Sequence, residues 1–271
     1  MSTIRHTPVR VTMLGCGGSE GVPTPMGDWG KCDPDNPRNR RSRVSVRVDA
    51  EDRTGALKTL VIDTSPDFRQ QMIASGTTRI DAVLFTHAHA DHLHGIDDLR
   101  SFNRAQKSVI PAFASSEAAE DIRQRFGYVV QPWDHPAGSF FYRPALALTE
   151  VSGPFEAAGI PIIPFGQDHG FGRTLGFRIG NFAYSTDLIA LEEAAFPLLE
   201  GIDTWILDCL RVAPPHPTHC HLERTLALVE RVRPRHTVLT HMAQMTDYAA
   251  LAALLPAGIE PGWDGLELMV P

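Results

Sequence analysis

A dense run of histidine and aspartate residues is the feature that most constrains this chain. Residues 86–92 read Thr-His-Ala-His-Ala-Asp-His and follow the apolar stretch Ala-Val-Leu-Phe at residues 82–85. A short apolar stretch of this kind is typical of a buried β-strand, so the run should lie on the loop where a strand ends. Imidazole and carboxylate groups at this spacing can converge on a divalent metal such as zinc or manganese. The sequence therefore predicts a metal site that includes His87, His89, Asp91 and His92.

The remaining chain alternates short strand patterns with amphipathic helical patterns. Strands are predicted at residues 9–15, 44–48, 60–63, 82–86, 140–142, 145–151, 162–164, 174–179, 182–185, 237–240 and 266–270. Helices are predicted at residues 65–75, 191–199, 222–232 and 247–255. Because both halves are rich in strands and carry helices, we predict an α+β fold in which two mixed sheets pack face to face with helices outside, an αββα sandwich.

The length and composition favour one domain that acts on a small molecule. The 271 residues, 43% of them hydrophobic, can form a full core, and we expect a single domain over residues 1–271. The N-terminus lacks a signal-peptide pattern and no run of about 18 apolar residues occurs, so we expect a cytoplasmic protein without a membrane partner. A formal net charge of -7 disfavours long nucleic acid as a partner. Four scattered cysteines without a C-x-x-C pair indicate reduced thiols.

The run resembles the signature of the metallo-β-lactamase superfamily, His-x-His-x-Asp-His at the end of a strand. In that superfamily the other metal ligands follow later strands, and three residues of ligand type follow predicted strands here, namely His169, Asp187 and His241. The resemblance implies a dinuclear site for two divalent ions, with Asp187 as the carboxylate that bridges them. It assigns His87, His89 and His169 to one ion, and Asp91, His92 and His241 to the other.

The same resemblance implies a supporting role for Asp63, which ends the predicted strand at residues 60–63. Ligating imidazoles usually donate their second N–H to a carboxylate or a carbonyl. Asp63 matches the superfamily aspartate that supports the metal-binding loop. The alternative role for this residue is to cap the helix that follows Ser65.

His219 is the residue that narrows the choice within the superfamily. It lies 22 positions before His241 and directly before a predicted helix. This position resembles the extra histidine of ribonuclease Z-type phosphodiesterases and of the cyclic-phosphate phosphodiesterases of the carbon–phosphorus lyase pathway. After hydroxide generated at the metals attacks phosphorus, an imidazole can give a proton to the departing alkoxide. We therefore expect His219 to be catalytic, together with Asp91, while His216, His221 and a helix-capping role for His219 remain alternatives.

Two further features separate this chain from ribonuclease Z. Only residues 170–186 lie between His169 and Asp187, which leaves no room for the long arm with which ribonuclease Z grips tRNA. Residues 14–23 and 95–100 resemble the group named for 5-phosphoribosyl 1,2-cyclic phosphate. The best-known members of that group bind a structural zinc through several cysteines after the glycine-rich turn, whereas residues 25–33 here contain only Cys32. We therefore expect no structural zinc at that place and leave the exact substrate open.

Arginines are the remaining candidates for substrate contacts. Residues 38–43 contain four of them, which could offer guanidinium forks to a terminal phosphate. A solvated basic loop is the preferred interpretation of this segment. Arg100 either contacts substrate or pairs with Asp97 or Asp98.

The preferred hypothesis is a dinuclear-metal-dependent phosphodiesterase that hydrolyses a small phosphate diester. The candidate substrates are 5-phosphoribosyl 1,2-cyclic phosphate and a cyclic nucleotide. A thiolester hydrolase of the glyoxalase type is the alternative enzyme, and a metal-binding accessory protein without turnover is the non-enzymatic alternative. All seven predicted metal-ligand positions are occupied by His or Asp, which argues against the accessory protein without turnover. Dimers are common in the resembled group, so a homodimer is one expected assembly.

Overall fold

Two β-sheets form the centre of the structure, a computed structural model that describes residues 8–131 and 144–271. The first sheet contains, in spatial order, β15 (Glu267–Val270), β1 (Val9–Gly15), β2 (Ser45–Glu51), β3 (Leu57–Ile62), β4 (Ala82–Leu84), β5 (Ile110–Ala114) and β6 (Leu146–Glu150). The second contains β11 (Ala190–Leu191), β8 (Ile160–Asp168), β9 (Arg173–Ile179), β10 (Phe182–Ser185), β12 (Thr204–Asp208), β13 (His236–Thr240) and β14 (Ile259–Pro261), with β7 (Phe155–Ala157) paired to β8.

Both sheets are mixed, and helices cover their outer faces. The helices are α1 (Phe68–Ala74), α2 (Ala90–Leu93), α3 (Leu99–Gln106), α4 (Ser116–Val130), α5 (Phe196–Leu199), α6 (Leu222–Val232) and α7 (Tyr248–Ala252). One apolar core fills the space between the sheets, a second lies between the first sheet and α1 to α4, and a third lies between the second sheet and α5 and α6. This arrangement confirms the predicted αββα sandwich. Within the described ranges, no helix has the length and apolar character needed to cross a membrane.

Most of the predicted elements are present, and the exceptions have physical reasons. The helix predicted at residues 191–199 is wrong in extent, because Pro197 lacks a backbone N–H and α5 begins only at Phe196. The strands β5, β7, β11, β12 and β14 and the helices α2, α3 and α4 were not predicted. Buried strands lose the polar–apolar alternation that identifies a strand exposed on one face, and every residue of β12 is buried. The strand predicted at residues 140–142 lies outside the described residues, and the single domain stays a prediction.

Parallel pairing brings several strand ends to one edge of the molecule. In the second sheet β10, β12 and β13 run parallel, with Ser185 of β10 opposite Leu207 of β12. In the first sheet β3 and β4 run parallel, with Ile62 opposite Leu84. Because parallel strands end at the same edge, the loops that follow them can place side chains close together. These loops carry the predicted metal ligands.

Two of the four arginines of residues 38–43 are not part of a solvated basic loop, so the interpretation preferred from the sequence is wrong for Arg41 and Arg43. Arg41 is 2% exposed and donates to the carbonyl oxygen of Thr246 at 2.8 Å and to the side-chain oxygen of Asn39 at 3.1 Å. Arg43 donates to both carboxylate oxygens of Asp67, at 2.8 and 2.7 Å. These contacts attach the loop after β1 to the loop after β13 and to α1.

Replacing Arg41 tests this structural role. We expect Arg41→Ala to lower the free energy of unfolding by about 2–4 kcal/mol, because it removes charge-assisted hydrogen bonds and leaves a buried carbonyl group without its donor. Arg40→Ala is the matched control, since Arg40 is exposed and its guanidinium carbon lies 5.0 Å from the centre of the Trp29 ring. Urea denaturation followed by circular dichroism measures both changes. Equal stabilities of the two variants would contradict the assigned role of Arg41.

Candidate metal centre

All seven predicted metal ligands lie at one edge of the two sheets. The segment after β4 carries four of them, and the loops after β8, β10 and β13 carry one each. In this order they are His87, His89, Asp91 and His92, then His169, Asp187 and His241. With His219 they form three overlapping groups, and within each group all donor atoms lie within 4.8 Å of one another. The fold therefore brings together every residue assigned to the metals, while their role as ligands stays a prediction.

The two carboxylate oxygens of Asp187 face different pairs of imidazoles. Oδ2 lies 3.7 Å from Nε2 of His87 and 3.7 Å from Nε2 of His169. Oδ1 lies 3.1 Å from Nε2 of His92 and 3.3 Å from Nε2 of His241. Two donor atoms held about 2.1 Å from one tetrahedral ion lie about 3.4 Å apart, so each oxygen has the spacing of a shared ligand. This geometry favours Asp187 as a bridge between two ions.

Several donor atoms in the cluster form no hydrogen bond. Nε2 of His87, His92 and His241 and Oδ2 of Asp91 are buried and form no hydrogen bond. Each buried polar atom without a partner destabilises a protein by about 1–3 kcal/mol, so four of them together call for a ligand. A divalent cation satisfies imidazole nitrogen and carboxylate oxygen at once. The residues present therefore fit a divalent metal site.

The electrostatics of the cluster agree with this fit. Burial, followed by the neighbouring His92, lowers the pKa of His87 well below its usual value, which keeps a nitrogen lone pair free. Burial alone would lower the pKa of His241, but Asp187 and then Asp91 outweigh it and raise the pKa to about 9. The carboxylates thus favour positive charge beside His241, and a metal cation supplies that charge when it displaces protons from its ligands.

Asp63 supports the metal-binding loop as the resemblance implied. Its carboxylate accepts hydrogen bonds from the backbone N–H of Thr86 at 2.8 Å and from the hydroxyl group of Thr86 at 2.7 Å. Nδ1 of His92 lies 2.8 Å from the same carboxylate. A donor bond at Nδ1 turns Nε2 towards the cluster and fixes the tautomer that can ligate. Asp63 is fully buried in this role, and the helix-capping alternative is wrong, because α1 begins after Asp67.

Asp208 is a candidate site residue that the sequence alone did not identify. It ends β12, is fully buried, and places Oδ2 3.3 Å from Nδ1 of His219. The same oxygen accepts hydrogen bonds from the backbone N–H groups of Leu188 and Cys220, each at 3.3 Å. The signal that could have identified it is the apolar Trp-Ile-Leu before the aspartate, since Asp63 likewise ends an apolar strand. Asp208 orients His219.

The imidazole of His219 borders the cluster beside the rings of His169 and His241. Its Nε2 lies 3.8 Å from Oδ2 of Asp187, and its ring stacks on the ring of His241 with centroids 4.5 Å apart. Only 7% of the residue is exposed. The structure therefore places His219 where it can reach a molecule held at the cluster.

The other candidates named from the sequence occupy different surroundings. The ring of His216 lies 5.2 Å from that of His219, and His221 is the N-cap residue of α6. Arg100 pairs with Asp97 at 3.1 Å, which is the structural alternative predicted for it. His221 thus takes the helix-terminal position that was considered for His219.

Three residues at this edge adopt backbone angles that side chains other than glycine rarely take. Asp63, Asp187 and His241 have φ angles of 62°, 55° and 58°. The left-handed conformation is unfavourable by about 1–2 kcal/mol for a residue with a Cβ atom. Such conformations persist where the surrounding structure imposes them, and they concentrate at functional sites. Here they turn each side chain from its strand end into the cluster.

The chain belongs to the β-lactamase superfamily, because the sequence profile of the Beta-lactamase superfamily domain matches residues 58–242. Within it the chain has the metallo-β-lactamase fold and belongs to the family of PhnP. A crystal structure described as a new diphosphatase from the PhnP family is 33% identical, with a TM-score of 0.84. The match covers 97% of each chain.

Two relatives from bacteria extend the comparison. An octanoyltransferase of Porphyromonas gingivalis is 31% identical over 265 residues, and the match covers 97% of this chain. This chain spans only 52% of the length of that protein. The anti-Pycsar protein Apyc1 of Paenibacillus harenae is 27% identical over 175 residues, which is 62% of this chain and 70% of that protein.

Replacing Asp187 tests the bridging role. We expect Asp187→Ala to lower the metal content from two ions to one or none per chain, because two neighbouring cations need shared negative charge. Asp35→Ala is the control, since Asp35 is exposed and far from these ligands in sequence. Inductively coupled plasma mass spectrometry after loading with zinc or manganese gives the stoichiometry. Retention of two ions by Asp187→Ala would place the bridge elsewhere.

Proposed function

We propose that this hydrolase is a dinuclear-metal-dependent phosphodiesterase that acts on a small phosphate diester. The observation that carries the proposal is the pair formed by His219 and Asp208 beside the metal cluster. A diester of phosphate releases an alkoxide, which is a poor leaving group unless it receives a proton. A histidine oriented by a buried carboxylate is suited to give that proton near neutral pH.

The proposed roles of the metal ions and of the residues follow from the donor atoms that each residue contributes. If bound, two divalent ions such as zinc or manganese would supply Lewis acidity at the phosphoryl oxygen and would favour a nucleophilic water at neutral pH. The seven predicted ligands hold those ions, and Asp91 thereby contributes to catalysis. Oδ2 of Asp208 accepts a hydrogen bond from the Nδ1–H group of His219, and Nε2 is therefore directed towards the cluster. From this position Nε2 can hold a proton and transfer it to the departing oxygen.

The alternative activities fit this arrangement less well. A thiolester releases a thiolate, whose conjugate acid has a pKa of about 8.5, so its departure needs little help from a proton donor. Acyl transfer through a cysteine needs an accessible thiolate. All four cysteines are buried and unpaired, and burial raises the pKa of each thiol. A cysteine-based acyl transferase is therefore disfavoured for this chain.

The relatives support the same class of reaction. A diphosphatase and the anti-Pycsar protein are named among the similar proteins, and the former shares a third of its residues with this chain. A net charge of -7 favours a small anion bound at the metals over a long nucleic acid. A homodimer is part of the proposal, and light scattering tests it.

A substrate screen tests the reaction class. We expect the metal-loaded protein to hydrolyse bis-p-nitrophenyl phosphate and at least one cyclic ribose phosphate or cyclic nucleotide, and to leave thiolesters largely intact. Absorbance and phosphorus NMR measure these products. Protein stripped of metal by a chelator is the control and should be inactive. Preferential thiolester hydrolysis would overturn the proposal.

Replacing His219 tests its role as the proton donor. We expect His219→Ala to keep its metal content, because the seven predicted ligands remain, while kcat for an alkoxide leaving group falls by roughly 10²–10⁴. The fall should be much smaller for p-nitrophenolate, which departs without a proton. Asp208→Asn should show the same pattern in weaker form, because it loosens the orientation of the imidazole.

The controls separate this role from the others. His236→Ala removes a histidine at the start of β13, away from the edge that carries the cluster, and should leave both rates unchanged. An equal defect of His219→Ala for both leaving groups would indicate substrate positioning. Loss of metal from His219→Ala would make this residue a ligand.

A further inference from the structure

An exposed phenylalanine stands beside the predicted metal ligands. Phe171 is 92% exposed and lies two residues after His169, which is one of those ligands. An aromatic side chain can bury about 150–250 Å² on contact, so its exposure leaves a large apolar surface in water. In the described ranges no other phenylalanine is among the exposed large hydrophobic residues. The exposed ring is therefore available to contact a molecule that binds at the cluster.

The turn that carries Phe171 is fixed rather than loose. The backbone N–H of Phe171 donates to the carbonyl oxygen of His169 at 3.1 Å, and the N–H of His169 donates to the carbonyl oxygen of Gly172 at 3.0 Å. Gly170 has a φ angle of 81°, and a Cβ atom there would lie 2.5 Å from the carbonyl oxygen of Pro217. Such a turn fixes the backbone from which the ring projects, so binding a ligand there orders little further main chain.

Phe171 stands at the rim of a small cavity on the metal cluster. The cavity has a volume of about 240 Å³ and is lined by His87, His89 and His169 on the cluster side. Cavities that enclose a whole drug-sized ligand measure about 300–1,000 Å³. A cavity below that range can hold a cyclic phosphate and its sugar, while any larger group attached to the sugar lies at the rim. The ring of Phe171 would contact that group.

The charged side chains at the cavity are mainly acidic. Glu117 and Asp121 are exposed and line it together with Arg173. Arg173 pairs with Glu192, and this hydrogen bond raises the pKa of the guanidinium, with a further contribution from Glu117. Arg173 is thus compensated by carboxylates, and Asp121 lies 3.8 Å from Arg125, so Glu117 contributes the net negative charge of the rim. Such a rim suits the hydroxyl groups of a sugar and repels a second phosphate group.

We propose that Phe171 is a specificity-determining residue that stacks on the nucleobase of the substrate, and that the substrate is a nucleoside cyclic phosphate. This inference rests on the proposed phosphodiesterase function and chooses between its two candidate substrates. The 5-phosphoribosyl compound has no aromatic group for Phe171 and brings a terminal phosphate to an acidic rim. A nucleoside cyclic phosphate has a base for the ring and no phosphate besides the one at the metals.

The position of Phe171 also agrees with the proposed leaving group. The turn of residues 169–172 touches the segment before His219, and Nδ1 of His169 lies 2.7 Å from the carbonyl oxygen of Thr218. The proton donor and the aromatic platform therefore lie on adjoining loops. A base stacked on Phe171 would hold the ribose, and with it the departing oxygen, near His219.

Steady-state kinetics on the metal-loaded full chain test the inference. The substrates are 2′,3′-cyclic and 3′,5′-cyclic nucleotides, and the base-free comparison is the cyclic phosphate of methyl riboside. We expect Phe171→Ala to raise KM for the cyclic nucleotides by about 5- to 150-fold, the range for removal of one stacked base, with kcat nearly unchanged. The base-free substrate should show no change in either constant. Phe171→Trp should restore KM.

A second readout does not depend on turnover. The indole introduced by Phe171→Trp should be quenched when a nucleoside monophosphate binds and not when ribose phosphate binds. Met26→Ala is the matched control, because Met26 is 95% exposed and does not line the cavity at the cluster. This variant should behave as the unmodified protein in every assay.

The outcomes distinguish the inference from the proposed function. If cyclic nucleotides are hydrolysed but Phe171→Ala affects the nucleotide and the base-free substrate equally, the stacking role is overturned while the phosphodiesterase function stands. If Phe171→Ala instead turns a dimer into a monomer in light scattering, the ring belongs to a subunit interface and the inference is overturned. If no phosphodiester is hydrolysed at all, the proposed function fails and the inference fails with it.

Discussion

The carboxylate of Asp187 is the constraint on which the site depends. It is 1% exposed and lies between two pairs of imidazoles, with one oxygen facing each pair. A buried carboxylate is unstable unless positive charge and hydrogen-bond donors surround it. The fold meets this requirement by bringing loops from both sheets to one edge, where imidazoles and metal cations can share the charge. The αββα architecture is thus the means by which donors distant in sequence reach one anion.

Two buried carboxylates that are not predicted ligands fix the positions of other residues in the site. Asp63 holds the backbone and the imidazole of the loop after β4, and Asp208 holds His219 together with two backbone N–H groups. Both end apolar strands, so rigid sheet hydrogen bonding determines where they lie. A ligand or acid held in this way loses little freedom when substrate binds, which is the physical basis of preorganised catalysis.

The residues proposed for the chemistry and the residue proposed for specificity lie in different parts of this structure. The cluster, which is buried except for His89, consists of residue types that the superfamily signature shares, whereas the rim consists of a turn with an exposed ring and a few charged side chains. Loops at a sheet edge can change without disturbing the core that positions the buried donors. The loops of the rim are therefore where this chain can differ in substrate preference from relatives that act on other compounds.

The sequence by itself determined the local features and the order of the ligands. Four donors within six positions, α6 and most strands follow from short-range periodicity and spacing, because neighbouring residues experience the same local geometry. Asp208 and Arg41 could not be recognised in this way. A lone aspartate and one arginine among four look like ordinary polar residues until the partners are known, and Arg41 meets Thr246 from a distance of 205 positions. Only the tertiary structure decided which of these side chains are buried and what they contact, since burial and long-range pairing depend on how the two sheets pack.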